Sequence, residues 1–231
     1  MRYPIKQILS FTLASVLSIS SIQAEVVFRD DFTRYAPGSA PGNPRDGNEY
    51  YWNIGDPIEA KIAEADGKRF LQLRKPHTGK YATVSRKFSR SGNRLTMKGQ
   101  IRLNSEPGDS DYFLFLSNSE ESKFSGPVKI RIANQTLMVY HTEGKISTMP
   151  DRLEPGVWYT IRVEADLESQ QYSVTISSDL RTEPHLVVKN VGFNESATSL
   201  DTFLIRPVES RELQKDALDW GLADLTIEWN G

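Results

Sequence analysis

Between Leu153 and Leu180 the chain reads LEPGVWYTIRVEADLESQQYSVTISSDL, an apolar–polar alternation interrupted once by a polar turn. Val157, Tyr159, Ile161, Val163 and Ala165 alternate with Trp158, Thr160, Arg162, Glu164 and Asp166. A period of two puts one set of side chains on a packed face and the other in water. After Leu167-Glu168-Ser169-Gln170-Gln171 the alternation resumes at Tyr172, Val174 and Ile176, so the second strand returns antiparallel and the pair is a hairpin. A half-buried hairpin needs a second layer to cover its apolar side, which directs the rest of the chain towards a sheet-on-sheet fold.

The same period recurs along the chain without an amphipathic helix between the runs. Strands are expected at Val26 to Phe32, Tyr50 to Ile54, Glu59 to Glu64, Arg69 to Leu73, Tyr81 to Phe88, Arg94 to Leu103 and Asp111 to Ser117. Further strands follow at Val128 to Ala133, Thr136 to Thr142, Lys145 to Thr148, the hairpin, His185 to Asn190, Thr202 to Pro207 and Leu222 to Trp229. Asp66-Gly67, Ser91-Gly92-Asn93, Pro107-Gly108-Asp109, Asn134-Gln135 and Glu143-Gly144 stand where neighbouring runs must reverse. Such residues accept the positive φ of tight hairpin turns. Ala36 to Gly47 is too rich in Pro and Gly for regular structure, and Glu209 to Leu218 carries enough helix formers for one surface turn. The fold class is all-β, an antiparallel two-sheet β-sandwich.

Arg2 and Lys6 precede an apolar run from Ile8 to Ile19 and the small-residue site Ile22-Gln23-Ala24, the pattern of a secretory signal peptide cleaved near Ala24. The run is shorter than the roughly 20 apolar residues of a spanning helix, and no later segment is long and apolar enough to cross a bilayer. Residues 25–231 are therefore expected to form a single β-sandwich domain in the periplasm or outside the cell, as a monomer. The chain has no cysteine, so stability after export depends on burial, and thiolate metal sites, thiol nucleophiles and lipid modification at cysteine are excluded. Of 28 basic and 30 acidic residues, cleavage removes two basic ones, Arg2 and Lys6, leaving 26 against 30, or about minus four. Nucleic acid, which selects dense Lys/Arg patches, is not an expected partner.

Three segments resemble the concanavalin A-like lectin/glucanase superfamily, in particular the laminin-G-like jelly rolls of exported bacterial proteins. They are Phe28-Arg29-Asp30-Asp31-Phe32-Thr33-Arg34-Tyr35-Ala36-Pro37-Gly38 with Trp52 beyond it, Pro155-Gly156-Val157-Trp158-Tyr159 with its strand, and Ala223-Asp224-Leu225-Thr226-Ile227. The resemblance implies a jelly roll. It leaves lectins, carbohydrate-binding modules, glycoside hydrolases, polysaccharide lyases and adhesion domains all open, because fold alone licenses no activity.

Retaining glycosidases need two carboxylates about 5 Å apart on one face. The Glu-x-Asp-x-x-Glu strand that supplies them in this superfamily is missing, and Glu164 and Asp166 read as solvated acids. Jelly-roll lyases need a cation against a uronate carboxylate and a Tyr or His to move the α-proton. His77, Arg86, Arg131, Tyr140 and His141 would serve there, yet the Arg-x-Glu-x-Arg and Gln-x-His strings of such enzymes are absent. Serine hydrolysis finds no Gly-x-Ser-x-Gly, and His77, His141 and His185 lack zinc spacing.

Sugar binding demands less: a flat ring under a pyranose and polar groups around its hydroxyls. His77, Tyr81, Arg86, Lys129, Arg131 and Tyr140 are the candidate ligand-binding residues, with Tyr50, Tyr51, Tyr112 and an exposed Trp220 as further rings. Trp52, Trp158 and Trp229 are expected to pack, although Trp158 stands on the wetter phase of its strand. Asp31, Gly38 and Asp224, with Asp30 and Asp219 near them in sequence, are candidates for a structural calcium joining the chain ends; turn capping by Asp31 and Asp224 is the competing reading. The sequence thus favours a carbohydrate-binding protein that recognises a polysaccharide on a concave sheet, ahead of a lyase or hydrolase of the same fold and of an adhesion domain contacting protein.

Overall fold

The computed structural model describes residues 24–41, 52–56, 58–75, 83–104, 111–118, 126–207 and 218–230. Fifteen antiparallel strands there form two sheets. The larger contains β1 (Glu25–Asp30), β3 (Glu59–Ala65), β4 (Lys68–Lys75), β6 (Arg94–Leu103), β11 (Tyr159–Asp166), β12 (Gln171–Ser178), β13 (Leu186–Gly192) and β15 (Leu218–Asn230). Its order is β13-β12-β11-β6-β15-β4-β3, with β1 also on β15. The smaller contains β2 (Trp52–Ile54), β5 (Val84–Lys87), β7 (Asp111–Ser117), β8 (Val128–Ala133), β9 (Thr136–Tyr140), β10 (Ile146–Thr148) and β14 (Thr202–Pro207), in the order β10-β9-β8-β7-β14-β5-β2. The chain has the two-sheet antiparallel sandwich expected from its alternation.

The hairpin is β11 and β12, paired from Tyr159↔Ser178 to Asp166↔Gln171. Its turn is closed by the Asp166 carboxylate, which accepts the backbone N–H of Glu168 at 2.8 Å and of Ser169 at 3.2 Å. Asp66-Gly67, Asn134-Gln135 and Glu143-Gly144 all carry positive φ, as their turn chemistry requires. At the chain's other end, β15 begins at Leu218, earlier than the alternation alone indicates. Its first half pairs with β4 and its second half with β1, while β6 follows along its opposite edge.

The core lies between the sheets. Tyr159, Ile161, Val163, Tyr172, Val174 and Ile176 face Leu114, Leu116, Ile130, Ile132, Leu137 and Val139 in one buried cluster. Each such side chain contributes about 1.5–3 kcal/mol on leaving water. Two tryptophans seal its ends: Trp52 meets Phe28 and Phe203 edge-on at 6.2 and 6.3 Å, and Trp229 donates its indole N–H to the Ser89 carbonyl at 2.9 Å.

This packing corrects the expectations for Trp220, Tyr112 and Arg86. Trp220 is a strand residue, 1% exposed, and stacks on Tyr112 at 4.9 Å across the two sheets, so neither ring is offered to solvent. Arg86 is 5% exposed and shares the inward phase of Val84, opposite Trp52 and Phe203; its guanidinium lies 4.7 Å from the Phe28 ring centroid. A strand position between large rings overrides the usual preference of a cation for water. Asp30, 2% exposed, accompanies it and accepts hydrogen bonds from Trp52 Nε1 at 2.9 Å, the Phe32 backbone at 3.0 Å and Arg34 at 3.2 Å.

Candidate functional site

With the inward residues of the seven-stranded sheet assigned to the core, alternation places the others on its outer face. These include Phe113 and Phe115 from β7, Lys129 and Arg131 from β8, Met138 and Tyr140 from β9, and Leu204 and Arg206 from β14. The register brings them into rows: Phe113 stands opposite Arg131 on one side and Arg206 on the other, and Phe115 opposite Lys129 and Leu204.

The side chains interlock at short range. The Lys129 ammonium lies 4.6 Å from the centroids of both Phe113 and Tyr140, whose rings meet edge-on at 6.0 Å. The Arg131 guanidinium is 5.7 Å from the Phe113 centroid and donates to the Tyr140 hydroxyl at 3.2 Å. Phe115 is buried and tilts against Phe113 at 5.3 Å, and Gly126 passes so close that an added Cβ would fall 3.0 Å from the Leu116 carbonyl and 3.1 Å from the Phe115 ring. Burial lowers the Lys129 pKa; the charge of Glu195 opposes that effect, while Arg131 and Arg206 reinforce it. The face is thus a cationic patch on an aromatic floor, suited to a ligand bringing both negative charge and an apolar ring face.

Of the candidates named from the sequence, Lys129, Arg131 and Tyr140 come together here. Arg86 is on the inner side of the same sheet, and Tyr112 is in the core. His77 and Tyr81, with Tyr50 and Tyr51, lie outside the described residues. His141 follows Tyr140 out of β9, where its backbone N–H donates to the Lys145 carbonyl at 2.8 Å; burial and the nearby Lys145 charge lower its pKa. Phe113, Phe115 and Arg206 were not singled out by sequence. The available signal was Phe113 and Phe115, apolar on the phase opposite to Tyr112, Leu114 and Leu116.

At the chain ends, β1 and β15 are neighbours, as the calcium expectation supposed. Asp31 accepts the backbone N–H of Thr33 at 3.0 Å and its hydroxyl at 2.6 Å, which lowers its pKa. Asp224 pairs with Lys68 at 3.1 Å, and Gly38 donates its N–H to the Ile62 carbonyl at 2.7 Å. Among the described residues, no three His, Asp or Glu side chains gather as a metal-holding group. Asp31 thus caps its own turn.

On the opposite sheet, Trp158 lies on the outer side, as its phase indicated. It meets Phe70 edge-on at 5.3 Å, with Lys68 and Arg102 at 5.2 and 5.7 Å from its ring.

A two-layer antiparallel sandwich with this strand order is a jelly-roll fold. Solved structures share it. The catalytic domain of the glycoside hydrolase family 131 protein from Coprinopsis cinerea matches with TM-score 0.63 at 13% identity, over 89% of this chain and 95% of that one. Lectin UEA-II complexed with galactose matches with TM-score 0.54 at 9% identity, over 89% and 98%. A sialidase matches with TM-score 0.58 at 12% identity over 83% of this chain, which spans only 18% of the sialidase's length. No protein-family model and no curated protein matches the sequence.

Proposed function

We propose that this chain is an exported carbohydrate-binding jelly roll that takes an anionic polysaccharide on the outer face of its seven-stranded sheet. The observation that carries this reading is the packing of Lys129 and Arg131 against Phe113 and Tyr140. A uronate offers a carboxylate to the cations and the apolar side of its pyranose to the rings. The structural neighbours support a carbohydrate-related role: one is a glycoside hydrolase domain and another a galactose-bound lectin. The signal-peptide pattern of residues 1–24 supports export.

Retention on immobilised alginate or pectate is expected, weakening as salt rises because the cations exchange counterions for carboxylates. Arg131→Ala and Tyr140→Ala are each expected to lower affinity about tenfold, equivalent to about 1.4 kcal/mol. Equal retention of the variants and the parent chain would defeat the reading.

A second reading rests on one contact. Arg131 beside the Tyr140 hydroxyl couples a charge neutraliser to a phenol, the pair a polysaccharide lyase needs. Incubation with the same uronates distinguishes the two readings: unsaturated products absorbing in the ultraviolet indicate elimination, and their absence alongside retention indicates binding alone.

A further inference from the structure

Away from that face, one end of the sandwich brings together three residues, Ser178 and His185 seven positions apart and Asp151 further upstream. Asp151 lies in the loop after β10, Ser178 closes β12, and His185 stands just before β13. His185 Nε2 is 2.7 Å from Ser178 Oγ, and His185 Nδ1 is 3.2 Å from Asp151 Oδ2. The serine and histidine are 9% and 8% exposed. A neutral imidazole with its proton on Nδ1 donates to Asp151 and accepts from the Ser178 hydroxyl, which is the hydrogen-bond order of an activated serine.

The surroundings hold the imidazole in place. Its backbone N–H donates to the Ile176 carbonyl at 2.7 Å, and its ring meets Tyr159 edge-on at 5.3 Å. Arg181 contacts Asp151 at 2.9 Å and donates to the carbonyls of Glu183 and Pro184 at 3.1 Å each, bracing the loop that delivers His185. Leu180 directs its backbone N–H at Ser178 Oγ from 3.3 Å, while its side chain is 53% exposed.

We propose that Ser178, His185 and Asp151 form an esterolytic centre for short-chain acyl esters, separate from the glycan face and independent of it. Ser178 Oγ attacks the ester carbonyl carbon as its proton passes to His185 Nε2. The Leu180 N–H, 3.3 Å from Oγ, donates to the resting hydroxyl and holds it in place for the attack. Collapse breaks the bond from carbon to the alcohol oxygen, and the alcohol leaves with the proton from Nε2. Water then attacks the acyl-serine and gives its proton to Nε2; the carboxylic acid departs and the Ser178 hydroxyl is restored. Asp151 acts as a positioning residue that fixes the tautomer, and the exposed Leu180 side chain offers the acyl group an apolar contact.

The test is labelling of the full chain with a fluorophosphonate, located by peptide mass spectrometry, beside hydrolysis of p-nitrophenyl acetate. One adduct per chain on Ser178 is expected, lost in Ser178→Ala, with labelling about a hundredfold slower in His185→Gln. Asp151→Asn, altered at a half-exposed carboxylate, carries the same test if His185→Gln does not fold. A folded parent chain without an adduct on Ser178 overturns the proposal, as does labelling at an unchanged rate in the folded His185→Gln or Asp151→Asn chain. In either case the three residues only pin the loop to the hairpin, and glycan retention is unaffected.

Discussion

Gly221 shows how far a single position is fixed by its neighbours. It lies on the outer side of β15, opposite Gln72 and Arg102, and a Cβ built there would sit 2.7 and 3.0 Å from Phe70 ring carbons and 3.2 Å from Trp158. Gly221→Ala is therefore expected to destabilise the protein by about 1–3 kcal/mol through displacement of those rings, measured as a lower urea midpoint at unchanged slope. The same scale explains why Arg86 misled: residue type suggests a ligand contact, but only its strand partners Trp52 and Phe203 reveal that it points inward. Phe113 is the converse case, an apolar residue kept on the outer face by its phase and covered by Lys129 and Arg131.

Among the strands, β15 contributes most to joining the eight-stranded sheet, since it pairs with β1, β4 and β6. Its register shifts between Ala223 and Thr226, and Asp224 at the shift has φ 48. A bulge there re-phases the strand so that Leu222 and then Leu225 and Ile227 all reach the core. The left-handed backbone tolerates Asp or Gly and penalises a β-branched residue. Asp224→Val is expected to cost about 1–3 kcal/mol, with Asp224→Gly within about 1 kcal/mol of the parent, both read from thermal or urea unfolding. The half-exposed ion pair of Asp224 with Lys68 adds little to that balance.

For the whole molecule, acid stability follows from carboxylates with donors around them. Burial alone would raise the Asp219 pKa, but hydrogen bonds from Gln72, Asn104 and Arg74 at 2.8, 2.7 and 2.9 Å outweigh it and hold the group below its ordinary value. A depressed carboxylate stabilises the fold above its unfolded pKa, and that contribution disappears as pH falls from there through the folded value. Asp219→Asn is therefore expected to flatten the loss of stability below about pH 4, while lowering stability at neutral pH. Melting curves across that range check both signs. The sequence by itself determined the two-layer all-β architecture, because side-chain alternation with a period of two is a local property that each strand carries whatever its partners. It also singled out Lys129, Arg131 and Tyr140 as candidate ligand contacts, the first two alternating on one strand. Only the tertiary structure decided that β8 and β9 place those three beside Phe113, that Arg86 and Trp220 are sealed inside, and that Asp151, Ser178 and His185 meet. Those outcomes depend on strand order and register, which are set by packing between segments remote in sequence and leave no periodic mark on any one of them.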